Sequence, residues 1–133
     1  MSEQPEKREP LPKVLLVDDE VGYATILRKR LSKRNFQVTA TFSGSEGIQA
    51  LRKEDFDVAV VDLKMEDMDG IELLKIFKKM VPSMAVIMLT GHGSDRAAKE
   101  GIELGAFDYL SKPCELDELV AKIKLACGEG RRD

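Results

Sequence analysis

Val14-Leu15-Leu16-Val17 runs straight into Asp18-Asp19-Glu20. An unbroken apolar run leaves no polar face, so it predicts a strand covered on both sides, the pattern of a buried parallel sheet. The same plan recurs downstream. Asp57-Val58-Ala59-Val60-Val61 leads to Asp62, Ala85-Val86-Ile87-Met88-Leu89 leads to Thr90-Gly91, and Phe107-Asp108-Tyr109-Leu110 leads to Ser111-Lys112-Pro113. Residues Phe36–Phe42 alternate instead, with Phe36, Val38, Ala40 and Phe42 apolar, which predicts a strand with one less buried face. That strand ends in Thr41-Phe42-Ser43, without charge.

Longer amphipathic stretches separate these runs. Glu20–Lys33 carries Tyr23, Ile26, Leu27 and Leu31 at helical spacing. Ser43–Lys53 predicts a helix with Ser43 as N-cap and Glu46 three residues later. Ile71–Met80 turns Leu73, Leu74 and Phe77 inward, and Ser94–Leu104 is closed by Gly105, a suitable C-cap glycine. Glu115–Cys127 offers Leu116, Leu119, Val120, Ile123 and Leu125 for packing. Strand alternating with helix predicts an α/β fold, a doubly wound five-stranded parallel sheet with helices on both faces. The expected organisation is a polar N-terminal tail at 1–10, one domain at 11–127 and a C-terminal tail at 128–133.

The chain has 133 residues, enough for one core, with 43% hydrophobic and 34% charged residues, a soluble globular balance. A net charge of −3 gives no broad pull toward nucleic acid or anionic membrane, so no direct nucleic-acid binding is expected. The apolar runs are too short to span a bilayer and the first residues are polar, so a cytoplasmic location is expected. Cys114 and Cys127 lack metal-type spacing and read as reduced thiols. Arg28-Lys29-Arg30, with Lys33 and Arg34, reads as a solvated helix face, with contact to a partner kinase as the minority alternative. Met65, Met68, Met80, Met84 and Met88 read as core and loop packing.

Open doubly wound sheets bind ligands beyond the carboxyl ends of their strands. Here those ends carry Asp18, Asp19 and Glu20, then Asp62, Thr90 and Lys112. Carboxylates gathered at one rim repel and raise one another's pKa, which a divalent cation would relieve. Oxygen-only ligands favour a hard ion, and Mg²⁺ needs only one or two carboxylates plus water and phosphate oxygens. A lysine could pair with a phosphoryl oxygen, a threonine hydroxyl could donate to another, and an aspartate can act as nucleophile. Each residue alone has a plainer reading: a helix cap for Asp18 or Asp19, turn chemistry for Thr90, a solvated side chain for Lys112. Their joint placement at successive strand ends is the specific signal.

Val14–Glu20, Val60-Val-Asp-Leu-Lys-Met65, Met68-Asp-Gly70, Leu89-Thr-Gly-His92, Gly105-Ala-Phe-Asp-Tyr-Leu110 and Lys112-Pro113 lie in order along the chain. With them the sequence resembles the receiver domain of bacterial two-component response regulators, from about Lys13 to Ala126, as a single chemotaxis-regulator-like receiver. The resemblance implies the flavodoxin-like strand order 2-1-3-4-5. It implies Asp62 as phospho-acceptor, Asp19 and Asp62 as direct Mg²⁺ ligands, Asp18 acting mainly through water, and the Lys64 backbone carbonyl as a further ligand. Thr90 and Lys112 would contact the phosphoryl group, and the Lys112–Pro113 peptide would be cis. Tyr109 matches the aromatic that turns inward as Thr90 moves, its plainer reading being a half-exposed strand tyrosine. The moving surface would be the fourth helix, fifth strand and fifth helix, a possible dimer face.

A sensor histidine kinase or phosphotransfer protein is the implied donor, and the output partner stays open. Lys64 and His92 stand where side chains can tune the phosphoryl lifetime, with a loop histidine facing solvent as the equal alternative for His92. Glu66 stands where the family commonly has proline, and Cys114 where a bulky apolar residue is more usual. Glu66 and Asp67 add negative charge that would either hinder an anionic donor or simply be solvated. Two other functions compete. An aspartyl-nucleophile phosphatase typically carries a second aspartate two residues after its nucleophile, where this chain has Lys64. A phosphorylation-independent binding module would fit loss of Asp62, Asp19 or Lys112, all of which are present. The expected chain is therefore not an enzyme on other substrates but catalyses its own phosphorylation and dephosphorylation.

Overall fold

The computed structural model describes residues 10–91, 93 and 95–128. Its elements are β1 (Lys13–Val17), α1 (Val21–Ser32), β2 (Gln37–Thr41), α2 (Gly44–Lys53), β3 (Val58–Asp62), α3 (Gly70–Met80), β4 (Ala85–Thr90), α4 (Asp95–Glu103), β5 (Asp108–Ser111) and α5 (Leu116–Ala126). The strands are parallel and ordered β2-β1-β3-β4-β5, as the resemblance implied.

Alternation along each central strand sends neighbouring side chains to opposite faces. Val14, Leu16, Val58, Val60, Ile87 and Leu89 pack with Ala24, Leu27 and Leu31 of α1 and Leu119, Val120 and Ile123 of α5. Leu15, Val17, Ala59, Val61, Val86 and Met88 pack on the other face with Leu51 of α2 and Leu73, Leu74 and Phe77 of α3. Both faces are therefore covered, which is why β1, β3 and β4 read as continuous apolar runs. Burying a Val, Leu or Phe side chain contributes about 1.5–3 kcal/mol, so this double layer supplies most of the driving force.

Local chemistry sets several element ends. Ser43 caps α2, its hydroxyl accepting the Glu46 N–H at 3.0 Å, while Glu46 Oε1 accepts the Phe42 N–H at 2.9 Å. Past α4, Gly105 adopts φ +112°, open to glycine, and the Ala106 N–H donates to Gly101 O at 2.9 Å.

Some expectations need correction. Leu125 is 57% exposed and Ile26 54% exposed, so both lie outside the packed stripes of their helices. Asp57 precedes β3 rather than opening it, because its carboxylate accepts the Lys13 N–H at 2.8 Å. Strand β3 instead runs on to include Asp62, and β4 to include Thr90. The expected tails fall outside the described residues apart from Pro10 and Gly128, as does Ser94 at the start of the fourth helix. Among the described residues no helix is long and apolar enough to cross a membrane.

Candidate functional site

Register brings the polar strand ends to one rim. Val17 pairs with Val61, Asp62 with Leu89 and Thr90 with Ser111. The ladder continues one step further, with the Lys112 N–H donating to Thr90 O at 2.7 Å. Asp18, Asp19 and Asp62 each offer a carboxylate oxygen, and these oxygens lie within 4.8 Å of one another.

Asp18 is fully buried. Its Oδ1 accepts the Glu20 N–H at 2.9 Å and its Oδ2 accepts Lys112 Nζ at 3.0 Å. Asp19 is half-buried and accepts the Glu66 N–H at 2.9 Å. Asp62 is 5% exposed, its Oδ1 taking a long 3.4 Å bond from the Lys64 N–H. Burial, reinforced by the Asp18 charge, pushes the Asp62 carboxyl up to about 6, with the Lys112 charge and the Lys64 amide opposing.

Lys112 reaches this rim from the loop after β5, across a cis Lys112–Pro113 peptide, as expected. Its ammonium binds Asp18 and also pairs with Glu20, while Asp62 Oδ2 lies 3.6 Å away. Burial alone would lower its pKa, but its bonds to Glu20 and Asp18 and the charges of Asp18 and Asp62 raise it. The ammonium also sits over the Tyr23 ring, 4.7 Å from its centroid. The Tyr23 hydroxyl lies 3.8 Å from Cys114 Sγ, and burial pushes the phenol up to about 12.

Thr90 is buried, its hydroxyl donating to Leu110 O at 3.4 Å. Tyr109 is half-buried and packs against the core face that holds Val61 and Met88. The Lys64 side chain is exposed, and Lys64 lines a cleft with Asp19, Glu20, Asp62, Gly91 and Lys112. His92 lies outside the described residues. Asp67 does not face this site, because its carboxylate turns to the start of α2. Met84 and Met88 are buried, and Met65, Met68 and Met80 pack partly buried against the core. Arg34 of the basic run pairs with Asp117 at 2.6 Å.

Sequence reasoning missed Glu20 and Tyr23 as partners of Lys112, and the Glu66 amide as a partner of Asp19. An acid directly after the Asp18-Asp19 pair was the available signal for Glu20. The three carboxylates carry more buried negative charge than one lysine offsets, and all donors are oxygen. The set therefore fits a hard divalent cation.

The family model for the response regulator receiver domain matches residues 14–124. The chain belongs to the response regulator receiver domain family, the receivers of two-component systems. It is 39% identical over 110 residues to the transcriptional regulatory protein GlrR of Escherichia coli (strain K12), covering 83% of this chain and 25% of that protein. It is 37% identical over 113 residues to the DNA-binding transcriptional regulator NtrC of Proteus hauseri, covering 85% and 24%. The chain thus spans about a quarter of the length of these curated relatives. Among solved structures, a receiver domain protein from Clostridium thermocellum superposes with TM-score 0.87 at 33% identity, covering 91% of this chain and 98% of that one. A CheY-like receiver domain protein from Methanospirillum hungatei JF-1 gives TM-score 0.85 at 31% identity, covering 91% and 97%.

Proposed function

We propose that this receiver is a phosphorylation-activated switch whose acceptor is Asp62. The observation that carries the reading is the buried Asp62 carboxylate at the end of β3, grouped with Asp18 and Asp19 and 3.6 Å from Lys112. An Asp62 oxygen attacks the phosphorus of a phosphohistidine on a sensor kinase or phosphotransfer protein, or of a small phosphodonor. The bond from phosphorus to the donor breaks as the Asp62 O–P bond forms.

Asp19, Asp62 and the Lys64 backbone carbonyl would hold Mg²⁺, with Asp18 acting through water. Bound there, the ion would neutralise the carboxylates and the charge on the transferring group. Lys112 would leave Glu20 to pair with a phosphoryl oxygen. Thr90 would exchange its bond to Leu110 O for one to the same group, drawing Tyr109 inward and biasing the α4–β5–α5 surface toward a second packing. Lys64 and His92 are the side chains we assign to tuning the phosphoryl lifetime.

The chain acts on itself rather than on a separate substrate, catalysing its own phosphorylation and dephosphorylation in the cytoplasm. Its output is a partner or a further domain controlled through α4–β5–α5, and pairing of two copies through that face belongs to the same proposal. Control of transcription is the output that the names of GlrR and NtrC suggest. The test is a titration with beryllofluoride and Mg²⁺ followed by amide resonances. Shifts at Thr90 and Tyr109 that vanish in Asp62→Asn support the switch, and an unchanged spectrum contradicts it.

A further inference from the structure

Residues 63–69, between Asp62 and α3, are attached at several points. At the base, the Gly70 N–H donates to Leu63 O at 2.8 Å. In the middle, the Glu66 N–H donates to Asp19 Oδ2 at 2.9 Å, so the loop touches the acidic site itself. The next residue faces the opposite way. Asp67 Oδ1 accepts the Gly44 N–H at 2.9 Å, and its Oδ2 accepts the Ser45 N–H at 3.0 Å and the Ser45 hydroxyl at 3.1 Å.

These are amides that the α2 cap leaves over. Ser43 serves the Glu46 N–H, so the first two amides of the helix take their partner from Asp67, over twenty residues away in sequence. The Gly44 and Ser45 amides hold the Asp67 carboxyl below the usual carboxylate range. Met68 adds an apolar contact at the same point: a Cβ on Gly44 would stand 2.6 Å from Met68 Cγ and 2.8 Å from its Sδ. Glu66, Asp67 and Met68 thus link Asp19 to the start of α2.

We propose that Asp67 is a positioning residue for the cation site, clamping the 64–68 loop to the N-terminus of α2 and so fixing the segment that meets Asp19 and carries the Lys64 carbonyl. This deepens, and rests on, the reading of the rim as a Mg²⁺ and phospho-acceptor site. The clamp gives the loop through a side chain the stiffness that proline gives similar sequences at the position of Glu66. Groups that orient metal ligands from outside the coordination sphere affect affinity strongly although they never touch the ion.

The test compares the full chain with Asp67→Ala, Asp67→Asn and Ser43→Ala. Mg²⁺ binding is read by calorimetry and the Glu66 amide by hydrogen exchange in the metal-free protein. Asp67→Ala is expected to weaken Mg²⁺ binding about tenfold, the lower end for outer partners of metal ligands, and to speed exchange at Glu66. At saturating Mg²⁺ its phosphorylation by acetyl phosphate should return to the unaltered level. Asp67→Asn, which keeps one acceptor oxygen, should fall between. Ser43→Ala weakens the same helix end without touching the loop, so it should lower thermal stability and leave Mg²⁺ affinity unchanged. The clamp is overturned if Asp67→Ala binds Mg²⁺ normally, or if Ser43→Ala weakens it equally. If the unaltered chain binds no Mg²⁺, or binds it equally well as Asp62→Asn, the Mg²⁺ reading fails. Exchange at Glu66 then judges the clamp alone, and an unchanged rate overturns it.

Discussion

Lys112 gives its ammonium to the fully buried carboxylate of Asp18 at 3.0 Å, while the Asp62 carboxylate lies 3.6 Å away. In this arrangement the lysine balances the acidic rim and lies beside Asp62, the proposed acceptor. Removing it leaves buried carboxylates without a cation. Lys112→Met should destabilise the metal-free protein by about 2–3 kcal/mol, below the 3–5 typical of a broken enclosed pair because the Glu20 side is open to water. Urea unfolding with and without Mg²⁺ checks this, and Mg²⁺ should restore part of the loss. Equal stability of variant and parent without Mg²⁺ would remove the balancing role.

Tyr23 supports the same lysine from below and is expected to titrate late. Burial and Cys114 raise its phenol from 10.0 to about 12. The folded state thus prefers the neutral phenol. Its contribution to stability is full below pH 10 and is lost as pH rises through about 12. Ultraviolet titration of Tyr109→Phe, which leaves Tyr23 as the remaining tyrosine, should show this late midpoint. A midpoint at the ordinary tyrosine value would mean that the ring is solvated.

Gly70 is required by close backbone approach. A Cβ there would stand 2.6 Å from Asp62 O and 2.7 Å from Leu63 Cα, atoms that cannot swing aside. Gly70→Ala should cost about 1–3 kcal/mol, the usual range for forced backbone shifts. Chemical denaturation measures it, and an unchanged midpoint would show that the loop base is loose.

The bond from the Thr90 hydroxyl to Leu110 O ties β4 to β5. Thr90→Ala should still accept a phosphoryl group, yet show smaller amide shifts at Tyr109 and along α4 on beryllofluoride addition. Shifts as large as those of the unaltered chain would take Thr90 out of the relay.

The central strands are legible in the sequence because burial on both faces leaves no polar position between Val14 and Val17 or between Ala85 and Leu89. Their ends are less so. Asp62 and Thr90 still pair within the sheet, but a polar side chain at the rim breaks the apolar run that signals a strand. Helical spacing likewise admits Ile26 and Leu125 to stripes that the packing excludes. The acidic rim is legible because Asp18, Asp62 and Lys112 each follow an apolar run. Its supports are not. Glu20 reads as one more acid at the rim, Tyr23 as helix core and Asp67 as surface charge. Each finds its partner across the fold: Glu20 and Tyr23 with Lys112, Asp67 with Gly44. Hydrophobic periodicity reports which face is buried and carries no record of such pairings.

The proposed switch depends on Asp62 as acceptor. The direct measurement is intact-mass and peptide-mapped mass spectrometry after incubation with acetyl phosphate, with Mg²⁺ and with chelator, on the unaltered chain and on Asp62→Asn. The expected result is one added phosphoryl group, on the peptide containing Asp62, formed with Mg²⁺ and absent with chelator or in the variant. A phosphoryl group on another residue, or none in the unaltered chain with Mg²⁺, would contradict the account.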